Sequence, residues 1–374
     1  MKYPIAYPYF PEEDAESIGE AVKDILRGKG MLTMGEQVAA FEREFAAYHG
    51  VAHAVACNSC TGALEIALRA LGVGPGDEVV VPAQTFVATG SAVAVTGARP
   101  VFGEIDSDFL LDVEDLERRM TSRTRAVIVV HFAGLVHPRV AEIRALCDRH
   151  GAFLVEDAAH APGASLDGRC AGTFGHVGCF SFFSTKVMTT GEGGMMTTGD
   201  PELARTLSSL RNRGLDVDAP AEIFVNLGSN RRMTELQALL GRAQLARLDA
   251  FIAHRNAVAD AYRAALADLE AAGRLRFQSL PREGRHAYWR FLVLLPREAD
   301  REALQQAMAA DGIRVDWPYS PLLHRQPVFR RLHGDISLPG SEDLAARHIC
   351  LPMHMLISTA DAGFIAGRLR GALA

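Results

Sequence analysis

Residues 179–194 read CFSFFSTKVMTTGEGG, an apolar run that breaks into the hydroxyl-rich STK and closes on a glycine turn. The run reads as a strand, and Lys186 falls just past its end. Open α/β sheets keep their ligand crevice beyond the carboxyl ends of their strands, so a lysine at this point stands where a ligand-bearing side chain belongs. A strand followed by an ordinary turn is the plainer alternative, and the rest of the chain decides between the two.

Outward from that stretch, helical and extended signals alternate between residues 36 and 200, as a sheet with helices on its faces requires. Apolar runs at 53–57, 78–83, 99–102, 125–132, 152–156, 178–183 and 193–198 make seven candidate strands. Most are apolar throughout rather than alternating, the pattern of strands covered on both faces. Helical stretches fall at 36–49, 61–71, 138–149 and 202–213; the first puts Val38, Phe41, Phe45 and Tyr48 on one face and stops at Gly50. Gly72, Gly74 and Gly76 follow a helix and precede a strand, the reverse of a dinucleotide fingerprint, and read as a turn. A helical pattern runs from Thr234 to about Leu269 and bridges into a second unit, with a strand at 287–296 and helices at 302–311, 342–350 and 360–372. The expected class is α/β, with a large domain over residues 1–248 and a small α+β domain over 249–374.

A chain of 374 residues exceeds the size at which one core stops growing, which agrees with two domains. Its 48% hydrophobic and 22% charged residues describe a globular chain rather than a disordered one. A net charge of −6 without any Lys/Arg run gives a nucleic-acid surface nothing to rest on. No apolar stretch approaches a membrane span and the first residues lack a signal-peptide pattern, so the expected compartment is the cytoplasm. There the six scattered cysteines are expected to stay reduced. HExxH, GxSxG and Walker-type motifs are missing from the sequence, and no metal is expected.

Of 39 basic residues, four are lysines (Lys2, Lys23, Lys29 and Lys186), so Lys186 stands alone after position 29. In a chain that takes its positive charge from arginine, one central lysine is either an unreplaced surface residue or is kept for something arginine cannot do, and its surroundings decide between the two. Forming an imine with an aldehyde is such a task, because it needs a primary amine that can lose its proton. Asp157 closes the apolar run of VEDAAHA (155–161), and a carboxylate there is costly to bury unless a cation meets it. Pyridoxal 5′-phosphate (PLP) carries such a cation at its ring nitrogen, and the pairing makes the ring an electron sink. His160, three residues on, is suited to orient Asp157 or to meet the cofactor's ring oxygen. In CNSCTGALEIAL (57–68) a strand end runs into a helix whose first amides, at Thr61 and Gly62, suit a phosphate. The CxxC of Cys57 and Cys60 also permits a zinc or redox reading, but no second CxxC or His pair completes it. Phe86, just after a strand in PAQTFVATG (82–90), is either a core residue or a ring that stacks on a flat cofactor. Ser181, Ser184 and Thr185 offer hydroxyls for a phosphate.

The sequence closely resembles the DegT/StrS family of PLP-dependent sugar aminotransferases from about residue 25 to its end. The resemblance is carried by LTMGEQVAAFEREFA (32–46), GVGPGDEVVVPAQTFVAT (72–89), EDAAHAPGA (156–164), GTFGHVGCFSFFSTKVMTTGEGG (172–194) and LGSNRRMTELQALLG (227–241). It implies the fold-type I architecture, a large domain around a seven-stranded, mostly parallel sheet with a small C-terminal domain, and a homodimer whose active sites lie at the interface. It makes Lys186 the Schiff-base lysine, Asp157 the partner of the pyridinium nitrogen and Phe86 the stacking ring. Thr61, Gly62 and Ser181 would hold the phosphate, with Asn230 reaching in from the neighbouring subunit. His160 stands where many relatives have glutamine. His324, in PYSPLLHRQP (318–327), resembles the family's substrate-side histidine with one extra leucine in the spacing, and Thr33 falls on the substrate side as well. Two departures stand out: His176 replaces a common aspartate, and Cys60 a common glycine.

The implied reaction moves an amino group from L-glutamate to a keto-sugar, in amino-sugar biosynthesis for a polysaccharide or an antibiotic. TTGEGG after the lysine looks like members that aminate C4 of a nucleotide-linked 4-keto-6-deoxy-hexose; a C3-keto sugar or a cyclitol ketone (inosose) is the alternative acceptor. Related dehydratases carry histidine in place of the lysine, and a non-catalytic regulatory protein on the same fold would have no need of Lys186, Asp157, Ser181 and Asn230 together.

Overall fold

In the computed structural model, which describes residues 1–216, 218–280 and 283–373, the seven apolar runs form the seven strands of one sheet. They are β1 (His53–Cys57), β2 (Glu78–Pro82), β3 (Arg99–Gly103), β4 (Thr124–Val130), β5 (Phe153–Asp157), β6 (Val177–Ser181) and β7 (Gly194–Thr198), in the spatial order β1-β7-β6-β5-β4-β2-β3. β7 pairs antiparallel with both β1 and β6, while the pairs from β6 to β3 are parallel. The chain is thus an α/β protein with a mostly parallel sheet, as its sequence leads one to expect.

Side chains alternate across a strand, so a strand apolar at every position feeds two cores. Val127 and Val129 of β4 pack with Leu154, Phe180 and the rings of Phe41 and Phe45 from α1 (Glu36–His49). Ala126 and Ile128 face the other way, against Val79, Val155 and Leu64 from α2 (Cys60–Ala70). Phe41 and Phe45 are fully buried, and each such ring is worth about 2–3 kcal/mol in burial alone. The N-terminus of α1 has no cap of its own; Glu235, at the start of α3 (Glu235–Ala246), accepts hydrogen bonds from the amides of Gly35 at 2.9 Å, Gln37 at 2.7 Å and Val38 at 3.3 Å.

Three readings of the C-terminal third change. The helical pattern over 234–269 is two helices, α3 and α4 (Leu248–Ala271), because Arg247 ends the first and starts the second. The expected strand at 287–296 shrinks to Phe291–Leu294, since Tyr288 adopts φ 44° and turns the chain away from the sheet. The end of the expected helix at 342–350 falls instead in a buried strand, His348–Leu351, paired with Phe291–Leu294; tertiary pairing outweighs the helical pattern there. With Arg276–Phe277 these strands form a three-stranded sheet beside a core of Tyr262, Phe277, Phe291, Ile349 and Ile365. Among the described residues no helix is long and apolar enough to cross a membrane.

β6 carries the chain to Lys186, and its seating depends on a glycine pair. A Cβ on Gly178 would stand 2.4 Å from the Cα and 2.5 Å from the carbonyl oxygen of Gly172, backbone that cannot step aside. Gly178→Ala should therefore cost about 1–3 kcal/mol, seen as a lower urea midpoint at unchanged slope. A midpoint equal to that of the parent protein would refute this packing.

Candidate active site

The carboxyl ends of β1, β2, β5 and β6 open on one cavity of about 500 Å³. Thr61 reaches it from the start of α2, Phe86 from the loop after β2, Asp157 from the end of β5, His160 from the loop beyond, and Ser181 and Lys186 from the end of β6 and its loop. That loop is tied down by its own polar atoms. Lys186 N donates to Phe183 O at 2.9 Å, Thr190 N donates to Phe182 O and Phe182 N to Gly193 O, both at 2.9 Å, and Val187 and Met188 anchor it in the core.

The Lys186 amine makes no hydrogen bond among the described residues and lies 4.5 Å from the centre of the Trp289 ring. Desolvation lowers its pKa to about 8, against the opposing pull of Asp157 and Cys60. Asp157 is buried, with Oδ2 accepting from Thr89 Oγ1 at 2.8 Å and Oδ1 from Ala159 N at 3.2 Å. The Cys60 thiol faces Oδ1 at 3.9 Å. No cation stands within ion-pair distance of Asp157 among the described residues, and burial raises its pKa despite the bonds from Thr89 and Ala159. The rings of His160 and Trp289 stack at 3.8 Å and 7°, and His160 Nε2 meets the Tyr319 hydroxyl at 2.9 Å. Burial, with the fields of Lys186 and Arg290, pushes His160 well below its usual range, so the ring is neutral. Its Nδ1 is buried without a partner.

At the start of α2, the Ser59 hydroxyl caps the helix by accepting from Gly62 N at 3.1 Å. The Gly62 amide is thereby engaged and lies outside the cavity lining, whereas the amides of Cys60 and Thr61 make no hydrogen bond among the described residues. The Cys57 thiol donates to Ser59 O at 3.2 Å, and all six cysteines are free.

Three other expected residues are not brought to the cavity. Asn230 is exposed and bridges to Asn212; Thr33 is exposed and bridges to Thr234. His324 is fully buried, its Nε2 held by Glu342 Oε1 at 2.8 Å, away from the cavity wall. The sequence reading missed four others that do contribute: Thr89, which donates to Asp157, and Trp289, Arg290 and Tyr319 in the wall. A signal for Trp289 and Arg290 was present, since one of the chain's two tryptophans sits beside an arginine inside a run taken for strand.

Residues 12–370 match the DegT/DnrJ/EryC1/StrS aminotransferase family. The chain is 38% identical over 334 residues to the GDP-perosamine synthase of Caulobacter vibrioides, covering 88% of each. It is 39% identical over 338 residues to the UDP-N-acetyl-3-dehydro-alpha-D-glucosamine 3-aminotransferase of Acidithiobacillus ferrooxidans, again covering 88% of each. Among solved structures, an aminotransferase from Psychrobacter cryohalolentis superposes with a TM-score of 0.91 at 30% identity, covering 98% of both chains.

The depressed pKa of Lys186 sets its reactivity. An amine attacks only when neutral, so reductive methylation of Lys186, followed by peptide mass spectrometry, should rise with pH to a midpoint at about 8. Asp157→Asn removes a charge that favours the ammonium and should move that midpoint lower. A midpoint near that of the exposed lysines would contradict the environment described.

Proposed function

The chain belongs to the DegT/DnrJ/EryC1/StrS aminotransferase family, and on that premise we propose that it binds PLP at Lys186 and transfers the amino group of L-glutamate to the ketone of a nucleotide-linked sugar. The observation that carries this is the pairing, in one cavity, of an unbonded primary amine titrating at about 8 with a buried carboxylate that has no cation partner among the described residues.

The donor set fits the cofactor. Asp157 suits a protonated ring nitrogen, which would relieve the cost of its burial. The open amides of Cys60 and Thr61, at a helix N-terminus, together with the Ser181 hydroxyl, suit the phosphate. Here the reading shifts from Gly62 to Cys60, because the Gly62 amide is already spent on Ser59. The unpartnered Nδ1 of His160 suits the ring oxygen, and Phe86, 52% exposed at the mouth, offers its face for stacking. When bound, PLP supplies an aldehyde that holds amines and a ring that takes up electron density from the carbon beside them. Lys186 Nζ, near its pKa at neutral to mildly basic pH, would accept the proton from the donor's α-carbon and pass it to the carbon that had carried the aldehyde. Trp289 and Tyr319 keep His160 in place and, with Phe86, narrow the access of water.

A second copy of the chain is part of the proposal. Phe224, Val225 and Leu227 are exposed on the segment leading to Asn230, Leu227 at 92%, a run of apolar surface that a partner subunit would cover while Asn230 serves the partner's phosphate. For the acceptor, C4 of a 4-keto-6-deoxy-hexose is the first reading. A C3 ketone is the second, favoured by the relative named as a 3-aminotransferase.

The test is one incubation of PLP-loaded protein, dimeric by sedimentation, with L-glutamate and a panel of keto-sugars. 2-Oxoglutarate should form only in the presence of a nucleotide-linked ketone, and Lys186→Ala should lower turnover by about 1,000-fold or more. Turnover with an inosose alone, or turnover that survives loss of the lysine, would refute the proposal.

A further inference from the structure

Arg290 carries a charge that nothing described in the protein balances. Its side chain is 6% exposed and lines the cavity, yet among the described residues it makes a single hydrogen bond, from Nη1 to the neighbouring Trp289 O at 3.3 Å. Among the described residues it makes no ion pair within 4.0 Å, and its buried Nε has no partner. Asp316 lies near enough to feel the guanidinium but beyond ion-pair distance, and burial pushes its own carboxyl upward toward the neutral form. Other buried or half-buried arginines are met by protein oxygens: Arg231 pairs with Glu65 at 2.6 Å, and Arg255, without a carboxylate among the described residues, donates to the carbonyls of Tyr288 at 2.9 Å and Met353 at 3.0 Å. A buried guanidinium left open costs several kcal/mol unless an anion arrives to meet it.

We infer that Arg290 is the anchor for the carboxylate of the amino donor. This rests on the proposed transamination, because it supposes that an amino acid enters the cavity. Arg290 Cζ lies 4.3 Å and Lys186 Nζ 4.5 Å from the centre of the same Trp289 ring. An amino acid carries its α-carboxylate two bonds from its amine, so a donor whose nitrogen replaces the lysine nitrogen brings that carboxylate into the space that Lys186 and Arg290 share beside the Trp289 ring. The planar fork of arginine matches a carboxylate with two parallel bonds, which a lysine cannot supply. A diphosphate belonging to a nucleotide-linked sugar is the other oxyanion that enters this cavity, but a whole sugar ring separates it from the reacting carbon.

Calorimetry on the PLP-loaded protein separates the two sources without any turnover, with glutarate as the carboxylate probe and UDP and GDP as diphosphate probes. Arg290→Gln should weaken glutarate binding roughly 30-fold or more and leave the nucleoside diphosphates unchanged, while Arg290→Lys should restore part of the glutarate affinity. Unchanged glutarate binding in Arg290→Gln, glutarate that fails to bind the parent protein, or a loss confined to UDP and GDP would each overturn the assignment. Unchanged PLP absorbance in both variants is the check that the cavity is intact. Failure of the parent protein to convert L-glutamate to 2-oxoglutarate with any ketone would instead count against the proposed function, whatever glutarate does.

Discussion

Asp157 places a negative charge at the inner end of the cavity with a hydroxyl, an amide and a thiol around it and no cation within ion-pair distance among the described residues. Such a group is costly to keep charged unless something positive completes it, and the cavity at the end of β5 leaves room for a ligand to do so. Neighbouring residues of one strand face opposite ways, and Glu156 shows what a carboxylate looks like when the protein completes it alone. Its two oxygens accept from the amides of Gly172 at 2.8 Å, Phe174 at 2.7 Å and Gly175 at 2.5 Å, and meet His131 Nε2 at 2.8 Å. One carboxylate is fully bonded and holds the fold; the next faces a cavity with no cation partner among the described residues.

The same contrast runs through the cavity. Among the described residues Lys186 Nζ makes no hydrogen bond and His160 Nδ1 and Arg290 Nε are unpartnered, within a shell that is otherwise well bonded: the Trp289 indole N–H reaches Thr185 O at 2.9 Å, and Thr85 and Thr89 share a hydrogen bond at 2.9 Å. Open polar atoms collected in one place, on rigid strand ends and a pinned loop, are the physical signature of a site prepared in advance. Rigid framing also explains why the lysine can be desolvated. The buried sheet and the stacked rings of Trp289 and His160 exclude water, and it is this exclusion, opposed by Asp157, that brings the amine into the range where it gives and takes protons.

The sheet was legible because its strands are buried on both faces and therefore apolar without interruption, so each run, from HAVAC and EVVVP to GGMMTT, stands out locally. Lys186 and Asp157 were legible for a related reason: a strand end fixes position, and a charge there has few explanations. The C-terminal third was harder. His348–Leu351 is a strand only because Phe291–Leu294 lies beside it, and Trp289 and Arg290 belong to the cavity only because Tyr288 turns the chain at φ 44°. Both are long-range or single-residue conformational facts with no periodic signature. The engagement of the Gly62 amide was not legible for a similar reason, since the capping bond to Ser59 is set by one side-chain rotamer. His324 stands at a position where the family resemblance suggests a substrate contact, but here Glu342 holds it inside the fold.

The proposed function depends on one covalent attachment point, and the chain's poverty in lysine makes it easy to locate. Borohydride reduction of the PLP-loaded protein, followed by peptide mass spectrometry, should find a single phosphopyridoxyl group on the peptide that contains Lys186. Label spread over Lys2, Lys23 and Lys29 with position 186 unmodified, or no label at all, would contradict the account.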